Sequence, residues 1–588
     1  MLENLELSRA RVSRTAIEKL YVEMRHLANR GRYRPNGRTG SVVREALINL
    51  SPEIYGSMND PEKVELNGLV YVIDRLPRGI EECRIIRLVS EEGYQDSGLE
   101  VIVPSARRRN CYRIDAERMY IEVTRGRSEI YDILTHLSFL YIEAEKVMRH
   151  ALNEKGKPTG EWLMLEKIVL GDGVEDDQDQ IKAYNYLATV LGRTYEETRI
   201  ACQRLSSNSK SNNGLFNVVY WMGKLAMGEH HREEMREVSF SPSLRARTGH
   251  HVYGERWATN IKKHLFDNDL LDRPLHIISA NLHSVVNTLY AYPALREHFK
   301  PDIPVFDIAA KMSQKENKGL QEEVFRYAQA KGLTVLNNHS GTHISVQIID
   351  TTELATCELH PEVAKHFSSA DILSQKPVIL VMDYAFGEQA YETLDELLKP
   401  YAPEGKKPMY MPVTSISIMG KAGILTGGKG DLMVPTAHVF EGTADNYPFK
   451  NDFSKDDFND YEIPVLEGPM ITVLGTSLQN RDILAYFKNS SWRAIGLEME
   501  GAHYQKAIQS QTAIRKNVDP NLTLRYAYYA SDNPLLTGST LASGSLGETG
   551  IKPAYLITLK ILEKIFSSVP KAASNGQSKK KRKKDSVS

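Results

Sequence analysis

The chain has 588 residues and carries 74 lysines and arginines against 75 aspartates and glutamates, so no chain-wide field recruits nucleic acid or a membrane surface. That length is too great for one ordinary hydrophobic core and suggests about two to four domains. Cys83, Cys111, Cys202 and Cys357 lie far apart with no CxxC spacing, which speaks against a zinc module or a disulfide framework and makes a reducing cytoplasm the simple setting.

The opening MLENLELSRARVSRTAIEKL lacks the apolar core of a signal peptide, and no run approaches the length that spans a bilayer, so a cytoplasmic protein without membrane contact is expected. In SRTAIEKLYVEMRHLANRGR, residues Ile17, Leu20, Tyr21, Met24 and Leu27 recur at three and four residues and predict a helix that stops at Gly31. LVYVIDRL and LEVIVPSA read as strands. SEIYDILTHLSFLYIEAEKVMRHAL reads as a long helix, and further helices with polar connections continue to residue 235. His136, Glu143 and His150 recur every seven residues on that helix, which raises a metal site. Two turns separate each pair by about 10 Å, too far for one ion, so a solvated or interdomain face is expected and no metal. Residues 1–250 thus read as an α-rich domain without an assigned purpose.

From residue 270 the pattern changes. RPLHIISANLHSVVNTLYAY is strand, turn and helix; LTVLNNHS and ISVQIID are strands; PVILVMDYAFGEQAYETLDELL is again strand, turn and helix. Alternation of strands and helices over 270–568 predicts an α/β layer architecture with a parallel or mixed sheet, whose ligands lie beyond the carboxyl ends of its strands. The last residues, 569–588, are polar, and Lys579 to Lys584 form an unbroken basic run. That composition predicts a disordered tail, either solubilising or a contact for nucleic acid or a localisation receptor.

Three segments carry candidate chemistry. In AIGLEMEGAHY, a strand running into a helix points Glu498 and Glu500 the same way with Met499 between them. Two such carboxylates suit the vicinal hydroxyls of a ribose with the thioether packed on the sugar, or simply acids near a helix start. SIMGKAGILTGGKGDLMVPTAHVFEG offers Gly420 and Gly423, which let backbone approach a planar ligand, although hairpins also use glycine freely. AYYASDNPLLTG ends a β-rich run on Ser531 and Asp532, placing a carboxyl group where it can act as a general acid toward a purine nitrogen, or serve as a turn or cap.

In this order the motifs resemble the nucleoside phosphorylase and nucleosidase superfamily, with its "G-x-x-G" segment, "GD", "V-E-M-E" and a strand ending in "SD". The matching residues are Gly420 to Gly423, Gly430-Asp431, Leu497 to Glu500, and Ser531-Asp532. SDNPLLTG is most similar to the corresponding segment of bacterial AMP nucleosidases, which also carry an extra N-terminal domain. The resemblance implies a three-layer domain with a mixed central sheet, here preceded by the α-rich domain. It implies that Met499 and Glu500 hold ribose with Glu498 assisting, and that Asp532, oriented by Ser531, protonates N7 of a purine leaving group. Gly423, Thr476 and Ser477 would border the base, and Gly387 lies in a turn similar to one over the ribosyl or phosphate end. No metal or organic cofactor is implied; a homo-oligomer is.

The departures bear on the reaction. At the first strand-turn, where phosphorylases carry "G-D-P-x-R", this chain has Asn281 and His283, the latter a candidate base or a structural histidine. Ala385 and Ala390 replace a family glycine and the phosphorylase serine. No complete phosphate cradle is visible, which favours hydrolysis of a purine nucleoside or nucleotide over phosphorolysis. An inactive nucleotide-binding regulator is the reading from another class. Lys421, Lys429 and Lys552 are candidates for a 5′-phosphate.

Overall fold

The computed structural model describes residues 2–171, 177–205, 213–231, 234–300, 302–337, 340–443, 445–537 and 546–571; Lys579 to Lys584 and most of the expected tail lie outside them. The first helix spans Leu2–Arg30, buries Ile17, Leu20, Met24 and Leu27, and ends at Gly31 in the left-handed region (φ 74°). The long helix is Gly126–Ala151. LVYVIDRL, expected as a strand, instead ends a helix, Leu66–Ile73, with its last three residues in the turn that follows; the Glu65 carboxylate starts the helix by accepting the N–H groups of Asn67 and Gly68. A short, nearly all-buried apolar run has no period by which to tell the two apart.

The first half is α-rich but also holds a six-stranded sheet. Its strands are β1 (Arg32–Tyr33), β2 (Ile85–Val89), β3 (Val101–Ile102), β4 (Cys111–Arg113), β5 (Arg118–Glu122) and β6 (Glu237–Phe240), in the order β1-β6-β2-β5-β4-β3. Strands of two to five residues give alternation little room to show. His136 and Glu143 do not face solvent: both are fully buried, and Glu143 pairs with Lys146 at 3.0 Å and accepts the Glu65 N–H at 2.8 Å. Lys146 and the Glu65 N–H explain how the helix interior tolerates Glu143, and His136 stands 3.6 Å from Asp132. His150 is nearer the surface, 3.3 Å from Glu62.

The second half contains β7 (Leu275–Ser279), β8 (Leu333–Leu336), β9 (Val346–Asp350), β10 (Val378–Met382), β11 (Val413–Ile424), β12 (Leu432–Phe440), β13 (Asn446–Pro448), β14 (Val465–Thr472), β15 (Gly496–Glu498) and β16 (Thr523–Asp532). They form one mixed sheet in which β10, β7, β11 and β16 run parallel. β11, β15, β14, β12 and β16 pair in a closed circuit, curling that edge into a barrel. β7 and β10 are buried at every position, as strands covered on both faces must be. Ile277 packs into the core under helices Val252–Asp267, Gln389–Leu398 and Gly501–Gln509, whereas Ile278 packs into the core under Ile551–Ser567, giving three layers. The first of these helices precedes residue 270, where strand-helix alternation begins. Among the described residues, no helix is long and apolar enough to cross a membrane.

The two halves share a core. Leu425, Val439, Ile471, Leu478, Ile483, Phe487 and Leu497 from the second half pack in one cluster with Leu20, Leu47, Leu69 and Leu137 from the first. Truncation of Phe487, 1% exposed, to Ala is therefore expected to cost about 3–5 kcal/mol and to lower a single unfolding transition of the whole chain. Calorimetry that resolved two transitions, only one of them shifted, would contradict a shared core.

Candidate active site

The closed circuit of strands brings the three motifs together. At its carboxyl end, β11 places Gly423 opposite Leu497 of β15 on one side and opposite Asp532 of β16 on the other, with a bulge between Ala422 and Gly423. A Cβ on Gly496 would fall 2.6 Å from the Gly423 carbonyl, so only glycine lets β15 approach this closely. The turn between β11 and β12 braces the same point. Asp431 accepts the Gly428 N–H at 2.8 Å, Asn533 donates to the Gly427 carbonyl at 3.1 Å, and Ala530 donates to the Asp431 carbonyl. The Gly430-Asp431 motif thus holds the end of β16. Ser531 lies with its hydroxyl 2.7 Å from Asp532 Oδ1 and 3.0 Å from the Ala422 carbonyl, and both residues are buried.

Glu498 and Glu500 have different surroundings. Glu498 accepts the Thr472 hydroxyl at 2.5 Å on one oxygen and the N–H groups of Glu500 and Gly501 on the other, so that second oxygen caps the following helix. Glu500 accepts the Gly387 N–H at 2.9 Å, which ties it to the turn after β10. Gly387 has φ +56°, and a Cβ there would meet the Ser128 hydroxyl at 2.5 Å, a backbone fit that favours glycine. Burial pushes the Glu498 carboxyl up to about 7 despite its donors, and burial with the neighbouring Glu498 charge pushes Glu500 up to about 8. Tyr504, raised by burial, bonds the Ser279 hydroxyl at 3.1 Å beside Glu500.

A carboxyl group whose pKa rises on folding stabilises the protein below its unfolded pKa and loses that contribution as pH rises through the folded value. Glu500→Gln is therefore expected to narrow the fall in melting temperature between pH 6.5 and pH 8. An unchanged fall would remove Glu500 as a titrating buried group.

His283 is exposed and lines a cavity of about 670 Å³ with Leu282, Val286, Asn287 and Gln347. Partial burial of the ring lowers its pKa, while the nearby Asp383 partly opposes this. Gly420 has room to spare, since a Cβ would stand 3.7 Å from Tyr384 and Tyr528. The short turn Thr476–Leu478 is tied to the first half: the Thr476 and Tyr71 hydroxyls are 3.1 Å apart, and Ser477 is buried. Of the lysines, Lys421 and Lys429 are exposed and Lys552 donates to the Tyr461 carbonyl at 3.3 Å. Among the described residues, no group of three or more His, Cys, Asp or Glu could hold a metal ion.

Sequence reasoning missed what the first half contributes. Ser128 accepts the Glu388 N–H at 2.8 Å, Arg127 pairs with Glu388 at 3.5 Å, and the Arg125 guanidinium lies 4.5 Å from the Phe386 ring centroid. Met499 and Leu535 also pack against the core that the two halves share. The available signal was the density of arginine in ARRRN and TRGRSE.

The model of a family of unknown function, DUF6909, matches residues 41–299 and 306–567. No curated protein matches the chain. Among solved structures, the chain is similar to the 5′-methylthioadenosine/S-adenosyl homocysteine nucleosidase of Campylobacter jejuni at 11% identity over 50% of this chain and 98% of that one, with a TM-score of 0.29. It is also similar to the futalosine hydrolase of Helicobacter pylori at 12% identity over 49% and 97%, with a TM-score of 0.27. The 5′-methylthioadenosine/S-adenosylhomocysteine nucleosidase of Helicobacter pylori gives 13% identity over 50% and 97%, with a TM-score of 0.29.

Proposed function

The chain belongs to the DUF6909 family, a family of unknown function, and we propose that it hydrolyses the N-glycosidic bond of a purine nucleoside or nucleotide. The observation that carries this reading is the meeting of Gly423, the Met499-Glu500 pair and Ser531-Asp532 around one end of β11. In this reading Glu500, fixed by the Gly387 N–H, accepts hydrogen bonds from the vicinal ribose hydroxyls, and Met499 packs on the sugar face. Two hydroxyl donors favour the ionised carboxylate, so sugar binding draws Glu500 to its charged form. That charge then faces the positive charge that develops on the ribosyl ring.

The bond between C1′ and the base nitrogen breaks with its electron pair leaving on the base. Asp532, oriented by Ser531, supplies the proton that neutralises the base at a ring nitrogen. Water adds its oxygen to C1′ and gives up a proton, for which His283 is the candidate acceptor. Burial of part of its ring disfavours the charged form. Glu498 supports the site indirectly, by holding the helix start from which Glu500 projects.

The test is chromatography of adenosine, AMP, inosine and guanosine incubated with the full chain, each with and without phosphate. Hydrolysis gives free base without phosphate and a sugar unsubstituted at C1. Base formed only with phosphate, together with a sugar 1-phosphate, would replace hydrolysis by phosphorolysis.

A further inference from the structure

We propose that a phosphoryl group binds where the arginines of the first half, led by Arg125, meet the turn Asp383–Gly387, and that a nucleoside 5′-monophosphate brings it there. The identity of the carrier rests on the N-glycosidase reading; the anion site does not.

Four arginines gather at this junction. Arg107 pairs with Asp132 through two bonds of 2.9 and 2.7 Å, and Arg109 reaches the same carboxylate at 2.6 Å and Glu129 at 3.4 Å. The Glu129 carboxylate also accepts the N–H groups of Thr124 and Arg125. Those two acids are consumed by Arg107, Arg109 and backbone. Arg75 donates to the Tyr71 carbonyl at 2.8 Å and lies 3.4 Å from the Tyr71 ring centroid, with Asp74 at the edge of the group. Arg125 has the Phe386 ring beneath it and, among the described residues, no carboxylate ion pair.

Arg75 Nε, Arg109 Nη1 and Arg125 Nε are buried here without a hydrogen-bond partner among the described residues. Arg109 is only 3% exposed. An unsatisfied buried donor on a charged group is costly, and arginine cannot relieve the cost by losing its proton near neutral pH. Burial lowers the Arg125 and Arg75 pKa values; Glu129 and Asp132 oppose Arg109 and Arg107 at Arg125, and Tyr71, Asp132 and Asp74 oppose Arg107 at Arg75. An anion with several acceptor oxygens supplies both the missing charge and the missing acceptors.

The position narrows the class of anion. Phe386 precedes Gly387, whose N–H holds Glu500, and the Arg125 charge favours ionised Glu500. A phosphoryl group at Arg125 is thus next to the carboxylate that would hold the sugar. It can arrive on the 5′-carbon of the substrate or as free phosphate.

Calorimetric titration separates the two sources. The protein is the full chain carrying Asp532→Asn, to stop turnover, with and without Arg125→Gln; the ligands are AMP, adenosine, inorganic phosphate, and adenosine with phosphate. AMP should bind at least about 30-fold more tightly than adenosine, a preference that Arg125→Gln cuts to about threefold or less. Arg75→Gln, folded by its melting curve, should move the ratio in the same direction. If AMP has no advantage but phosphate tightens adenosine through Arg125, the anion site stands and its occupant is free phosphate. The site is overturned if neither ratio depends on Arg125. Base release fails or succeeds separately: AMP held through Arg125 with no base released by the unmodified protein would remove the N-glycosidase reading and leave the anion site.

Discussion

Replacing Asp532 by Asn is expected to lower the rate of base release by about 10²- to 10⁴-fold while the protein melts as before, because the loss is that of one general acid. Asn keeps the size of the side chain and can still meet the Ser531 hydroxyl 2.7 Å away, and β16 retains its register beside β11. It cannot deliver a proton to a departing base. Leaving-group chemistry supplies a second readout: substrates whose bases depart readily without protonation should be slowed least. A rate within about threefold of the unmodified protein on ordinary purine substrates would take the acid role away from Asp532.

The second large effect separates the two glutamates. Glu498→Ala removes a buried acceptor from the Thr472 hydroxyl and two backbone N–H groups, which should cost about 2–4 kcal/mol of stability, within the range for charged hydrogen bonds left unmade. Glu500→Ala removes a carboxyl group already disfavoured by burial and by Glu498, so stability should change little, whereas kcat/KM should fall by about 10²- to 10³-fold from lost contacts to the charged transition state. Denaturant melts and initial rates on both variants check this. Stability lost with Glu500 and activity lost with a stable Glu498→Ala protein would exchange the two assignments.

Much of the second half was legible because its strands are long, apolar runs followed by turns. β10, VILVM, is buried throughout, and its unbroken run of branched and apolar side chains marks a strand covered on both faces. The site was legible where one segment carries several reactive groups, as in LEMEG and YASDN. What alternation cannot give is the division of labour between Glu498 and Glu500: both lie at the same strand end, but Thr472 and two N–H groups claim Glu498, and Thr472 is brought there by the pairing of β15 with β14. The first half resisted reading for a different reason. Its strands are short, the Leu66–Ile73 helix is apolar on nearly every side, and the contacts that join Ser128 and Arg125 to residues 386–388 span some 260 residues of sequence. No local pattern reports a contact of that range.

The central proposal is cleavage of a purine N-glycosidic bond by the group at the end of β11. It is tested most directly by following free purine from AMP and adenosine, in buffer without phosphate, with the full chain and its Asp532→Asn variant prepared in parallel. The proposal predicts free purine from at least one substrate with the unmodified protein and a rate at least about 10²-fold lower with the variant. No free purine from either substrate, or equal rates from the two preparations, would contradict it.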